Sequence, residues 1–151
     1  MPKIAYRLVS GALGAIAISG LIAVALAADV IKERQEIMKR HGQALRTLAA
    51  MVQKRAPFDP AVVKTTGVEL AESLAEVKDM FPEGSDKGET ETWAKPEIWQ
   101  NKEAFDQGFD QSVEAAKKLA AVEQEADLLR ALNAVGTTCK NCHDRFQRPK
   151  E

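Results

Sequence analysis

Cys139-Lys140-Asn141-Cys142-His143, close to the end of a 151-residue chain, is the stretch from which the rest of the sequence can be read. C-x-x-C-H is the attachment pattern of a c-type haem. On a helix, Cys139 and Cys142 are three residues apart and share a face. Two thiols so placed can add to the two vinyl groups along one edge of a porphyrin. His143 follows directly and can turn an imidazole nitrogen onto the iron as the proximal ligand.

Other uses of C-x-x-C fit less well. A structural zinc site takes about four protein ligands, whereas this chain holds 2 cysteines and 2 histidines in all, and the second histidine, His41, is remote in sequence. A thioredoxin-like redox pair should follow a strand and open a helix. The residues before Cys139, from Asp127 to Thr138, read as helix with no β-rich run nearby. One covalently attached haem c per chain is the expected cofactor.

The N-terminus agrees in compartment. Lys3 and Arg7 precede an apolar stretch from Val9 to Leu26, and Ala25-Leu26-Ala27 comes before Ala28-Asp29. A basic region, an apolar region and an A-x-A site form a secretory signal. Spanning a bilayer takes about 20 apolar residues, and this stretch is interrupted by Ser10, Gly11, Gly14, Ser19 and Gly20. Residues 1–27 are therefore expected to be cleaved from a periplasmic chain, 28–151, with no membrane anchor left. That chain keeps 19 basic and 22 acidic side chains, a net charge of −3. Nucleic-acid binding, which needs a basic patch, is not indicated. The acidic run Glu83 to Glu91, with Lys87 inside it, reads as a solvated loop.

Four helical stretches account for one domain, and no strand is persuasive. The first, Asp29 to Lys54, places Ile31, Arg34, Met38, His41, Leu45, Leu48 and Val52 at spacings of three and four. Pro57 stops it. Asp59-Pro60 opens the second, as N-cap and first helical residue. Val63, Leu70, Leu74 and Val77 form its face, and Phe81-Pro82 ends it. After a break over Glu83 to Lys95, Pro96 opens the third, with Ile98, Phe105, Phe109, Ser112, Ala116 and Leu119 on one face. The fourth, from Gln124 to Gln147, turns Leu128, Leu132, Val135, Cys139, Cys142 and Phe146 inward, and Pro149 closes it.

Four such helices pack as an all-α, antiparallel up-down-up-down four-helix bundle with the covalent haem near the C-terminus, and bundles of this kind build cofactor sites from facing helices. The first and fourth helices then run antiparallel, so the front of the first lies beside His143. That geometry nominates Arg34, Met38 and His41 for the opposite side of the haem. Met51 and Met80 lie farther off and read as packing.

At this point the chain resembles the class II c-type cytochromes, the cytochrome c' superfamily, itself a type example of that bundle topology. The resemblance rests on the late Cys139-Lys140-Asn141-Cys142-His143 and the early Arg34-Gln35-Glu36-Ile37-Met38. Two further matches are Phe81-Pro82-Glu83-Gly84 and Lys95-Pro96-Glu97-Ile98-Trp99. It implies that Met38 faces the distal side of the iron and that Arg34 pairs with a haem propionate through charge-assisted bonds. High-spin members carry a non-ligating residue at the Met38 position, while low-spin members use a methionine sulfur as sixth ligand. A His143/Met38 pair would raise the reduction potential, so the resemblance points to the low-spin, electron-carrying type. Core filling is the plain alternative for Met38, and a solvated charge among Lys32, Glu33 and Lys39 the alternative for Arg34. His41 is the rival ligand, one turn farther from His143. Many family members have a basic residue four positions after the haem histidine. Here Gln147 stands there and Arg148 follows, while Asp144 and Phe146 match.

The leading expectation is thus a periplasmic electron carrier serving unidentified redox partner proteins, as monomer or homodimer. The alternative is a high-spin protein that binds nitric oxide or carbon monoxide, with Met38 as a pocket wall. An enzyme is not expected, since peroxidase-type chemistry needs distal acid and base groups and only His41 could serve.

Overall fold

The computed structural model describes residues 18–149, with side chains from Val30 onward. Five helices follow in order: α1 (Ile18–Val52), α2 (Pro60–Val77), the single turn α3 (Glu97–Gln100), α4 (Lys102–Ala120) and α5 (Glu125–Phe146). α1, α2, α4 and α5 form the all-α four-helix bundle. Of the expected signal peptide, residues 1–17 lie outside the described residues. From Ile18 its backbone runs without a break into α1.

Local chemistry sets the helix ends. Lys54 takes a left-handed conformation, φ 57°, and Arg55 N–H closes on Ala50 O at 2.8 Å, so α1 stops before Pro57 is reached. The Asp59 carboxylate accepts from Ala61 N–H (2.9 Å) and Val62 N–H (3.3 Å), the N-cap expected for α2. The expected third helix is split at Asn101. Its backbone leaves helical geometry (φ −139°, ψ 56°) while its side chain caps α4 at Ala104 N–H.

The ring of neighbours runs α1, α2, α4, α5 and back to α1, with α2 and α4 packed most closely. An ion pair between Lys54 and Glu125 joins the end of α1 to the start of α5, which fixes these two helices as antiparallel. Every residue expected on the inner faces of α2 and of the α3–α4 stretch is buried. In α1 the buried set is Ile31, Arg34, Ile37, Leu48 and Met51, while Met38, His41, Leu45 and Val52 are half-buried. The burial stripe of α1 thus takes in Arg34 but passes beside Met38 and His41, leaving those two on the wall of a space rather than inside the core.

Candidate haem site

The bundle opens between the 34–46 stretch of α1 and the last turns of α5. A cavity of about 510 Å³ is there, lined by residues of α1, the 81–94 segment, α4 and α5. Its floor is aromatic. Phe105 meets Phe81 (4.7 Å between centroids), Phe109 (5.1 Å) and Phe146 (5.3 Å), each edge to face. A smaller cavity of about 140 Å³ adjoins it. Met38, Gly42, Phe109, Cys142 and His143 border both, and Cys139 and His41 border the smaller one.

The bundle therefore brings together the residues that the sequence nominated from opposite ends of the chain. Cys139 and Cys142 are free thiols, half-buried one turn apart on α5. Burial raises the pKa of both, that of Cys142 to about 11 with help from the neighbouring Cys139. They remain thiols at neutral pH, unlike the activated thiolate of a redox pair. Among the described residues no group of three or more His, Cys, Asp and Glu side chains could hold a metal ion. Gly108 faces the attachment edge, where an added Cβ would lie 3.7 Å from Cys142 Sγ. His143 is exposed at the cavity edge.

Arg34 is not the solvated helix charge its neighbours suggested. It is 3% exposed. Its guanidinium donates to Ser85 Oγ (3.0 Å), Ser85 O (2.7 Å) and Thr92 Oγ1 (2.8 Å), with a longer contact to Met80 O (3.5 Å). It also lies 4.6 Å from the centroid of the Phe81 ring. Burial lowers its pKa to about 10, against a small opposing effect of Asp86, so it keeps its charge at neutral pH. The acidic run read as a solvated loop is correspondingly tied down at Ser85 and Thr92, both buried. His41 shares a hydrogen bond of 2.9 Å with Ser73 on α2. Its pKa falls to about 4, through burial first and the Arg40 charge second.

A haem suits this space on its own chemistry. The floor is apolar and aromatic, two thiols stand along one edge with an imidazole beside them, and Arg34, Lys39 and Arg46 line the cavity where carboxylates would be neutralised. Fold and site define a four-helix c-type haem protein.

Comparison with known proteins agrees. The family profile described as Cytochrome C' matches residues 29–147. Cytochrome c' from Rhodopseudomonas palustris is 36% identical over 123 residues, 81% of this chain and 84% of that protein. The solved structure of cytochrome c' from Rhodopseudomonas palustris superposes with a TM-score of 0.75 at 35% identity, covering 82% of this chain and 98% of the other. The nitric oxide complex of a leucine-to-alanine mutant of cytochrome c' from Alcaligenes xylosoxidans superposes with a TM-score of 0.73 at 26% identity, covering 82% and 97%. The chain belongs to the cytochrome c' family.

Membership brings one covalently attached haem c per chain and a role as a carrier of electrons or gases, not an enzyme. It also corrects the low-spin expectation. Cytochromes c' are typically high-spin, with a single histidine ligand. Met38 as sixth iron ligand, and the low-spin His143/Met38 electron carrier built on it, are therefore withdrawn. The physical reason is that a methionine beside a haem can pack as readily as it can bond. An unbranched thioether fills irregular gaps without bonding a metal, and Met38 packs half-buried against the core on the wall between the two cavities.

Phe146 is the one member of the aromatic floor that the sequence directs to the haem or the core; the rest of the floor and the Ser85–Thr92 anchor carry no site signal there. Phe105 and Phe109 were read only as a buried face, and Ser85 and Thr92 reach Arg34 across 51 and 58 residues. Trp93, a large aromatic residue in the otherwise polar break from Glu83 to Lys95, is the available signal.

Proposed function

We propose that this chain is a periplasmic cytochrome c' that takes up nitric oxide or carbon monoxide at a five-coordinate haem iron, with Cys139 and Cys142 as the thioether anchors and His143 as the chain's single iron ligand. The observation that carries the reading is the pair of adjoining cavities. Met38, Gly42 and Phe109 border both, as do Cys142 and His143, and Cys139 borders the smaller, so one continuous space runs from the attachment thiols to the Met38 wall, where a small molecule can approach the iron. When bound, the haem supplies the iron that takes the gas. The chain holds it, excludes larger ligands and shapes the distal side.

In that role Met38 is a wall whose bulk limits what approaches. Arg34 lines the same cavity and would have to share its donors between the 81–94 segment and a propionate. The periplasmic location rests on the basic, apolar and A-x-A pattern of residues 1–27. Among the described residues no helix is long and apolar enough to cross a membrane.

The test is the visible and near-infrared spectrum of the purified holoprotein, ferric and ferrous, with and without carbon monoxide. The expected result is a high-spin spectrum that changes at once on adding carbon monoxide. A low-spin ferrous spectrum, with a sulfur-to-iron band in the ferric form and no prompt carbon monoxide binding, overturns the reading. Met38→Ala is expected to speed carbon monoxide association several-fold and to leave the spin state as it was.

A further inference from the structure

Residues 82–95 form a strap that crosses from the end of α2 to the start of α3, and it is clamped from two sides. Gly84, at φ 81°, turns the chain there, and Ser85 N–H closes on Pro82 O at 3.2 Å. From α1, Arg34 reaches Ser85 and Thr92 with both terminal nitrogens, and Gln35 donates to Glu91 O at 2.6 Å. From beyond α5, Arg148 N–H donates to Trp93 O at 2.7 Å, and Lys95 N–H to Phe146 O at 3.0 Å. The Arg148 guanidinium also donates to Thr92 O. Thr92, Trp93 and Ala94, between the two clamps, line the haem cavity.

We propose that Arg34 is a positioning residue for the haem site: it latches the 82–95 strap against the bundle, and the latched strap sets how readily a small ligand reaches the haem cavity. Three features carry this. The guanidinium is buried, so its hydrogen bonds are made away from competing water and to a charged donor, where each counts most. Its partners Ser85 and Thr92 are buried as well, 0% and 5% exposed, although the segment around them is short, polar and without periodicity. The strap also joins α1 to the tail of α5, the two elements that present Met38 and His143. A planar fork with several fixed donors can hold two points of a loop at once; a lysine in its place would hold one.

The proposal rests on the haem-cavity reading, and one of its measurements does not depend on gas binding. The holoprotein, Arg34→Lys, Thr92→Val and Ser85→Ala are compared by amide hydrogen exchange and by carbon monoxide rebinding after flash photolysis. Thr92→Val keeps shape and Arg34 while removing one acceptor of the latch. The expected result is amide exchange across 85–94 faster by roughly tenfold or more in Arg34→Lys and Thr92→Val, with the bundle helices unchanged. Carbon monoxide rebinding should change in the same order of variants. If Arg34→Lys does not fold, Thr92→Val and Ser85→Ala decide alone. Wild-type exchange in Thr92→Val and Ser85→Ala overturns the latch. So does faster exchange spread evenly over all helices, or an Arg34→Lys effect confined to the haem spectrum. Faster exchange of the strap with unchanged rebinding overturns the control of access. If no variant binds carbon monoxide, the gas-binding reading fails while the exchange data still judge the latch.

Discussion

The α2–α4 seam and the α1–α5 end of this bundle both bury apolar side chains and do opposite things. At the seam the helices touch through backbone. Gly67 is buried, and a Cβ built on it would lie 2.6 Å from Ala120 Cα and N. Val63, Leu70, Ala116 and Leu119 close around that contact. At the other end α1 and α5 stand apart around about 510 Å³ of space, and what spans the gap is a strap of polar chain held by a buried arginine. Side-chain size explains the contrast. Glycine against alanine lets two helices meet, whereas Phe81, Phe105, Phe109 and Phe146 pack edge to face on one another and form the floor of the open space. Packing density is concentrated where nothing binds, and the cofactor site sits where the helices are kept apart.

The largest effect that separates the two regions comes from the thiols. Cys139→Ala with Cys142→Ala should abolish covalent haem entirely, read as loss of haem staining on a denaturing gel. The far-ultraviolet helical signal should persist, because the seam residues make no part of the cavity wall. Collapse of helicity together with haem loss would mean that the seam does not hold without its cofactor, and the contrast would break.

Gly67→Ala is the converse. Alanine gains about 1 kcal/mol in helix propensity, but its Cβ has no room against the Ala120 backbone, and overpacking costs about 1–3 kcal/mol. A net loss in urea midpoint with an unchanged haem spectrum is expected. A neutral or stabilised variant would show that the two helices can part at no cost.

The same contrast explains what could be read from the sequence. Seam and core follow from periodicity, since Val63, Leu70, Leu74, Val77, Phe105 and Leu119 recur on faces that must be buried. The attachment end was legible for a different reason. Two thiols and an imidazole in C-x-x-C-H have one chemistry that suits a helix with no partner ligands nearby. The strap was not legible, because its order comes from hydrogen bonds to residues 51 and 58 positions away, which leave no local pattern. Its acidic composition pointed the wrong way. Met38 was placed correctly on the wall, yet its bonding could not follow from its position. A thioether beside a metal site has the same sequence signature whether it bonds or merely packs.

The smallest effect concerns His41, which joins α1 to α2 at the rim of the smaller cavity through Ser73. Its pKa drops from an ordinary 6.5 to about 4, by burial and then by the Arg40 charge. Above the ordinary value the folded and unfolded states both carry a neutral imidazole, so His41 contributes no pH dependence there. Between 6.5 and about 4 the unfolded chain takes up a proton that the folded chain refuses. The unfolded state then binds more protons, and stability falls as pH falls. Below that window both are protonated and the loss levels off. A dry site would make the loss at most about 3 kcal/mol, and partial exposure to solvent brings it to roughly 1 kcal/mol. Urea midpoints at about pH 7 and about pH 4.5 should therefore differ more in the wild type than in His41→Gln, which has no proton to gain. Equal acid sensitivity in the two proteins would mean that His41 takes up its proton as readily in the folded chain as in the unfolded one.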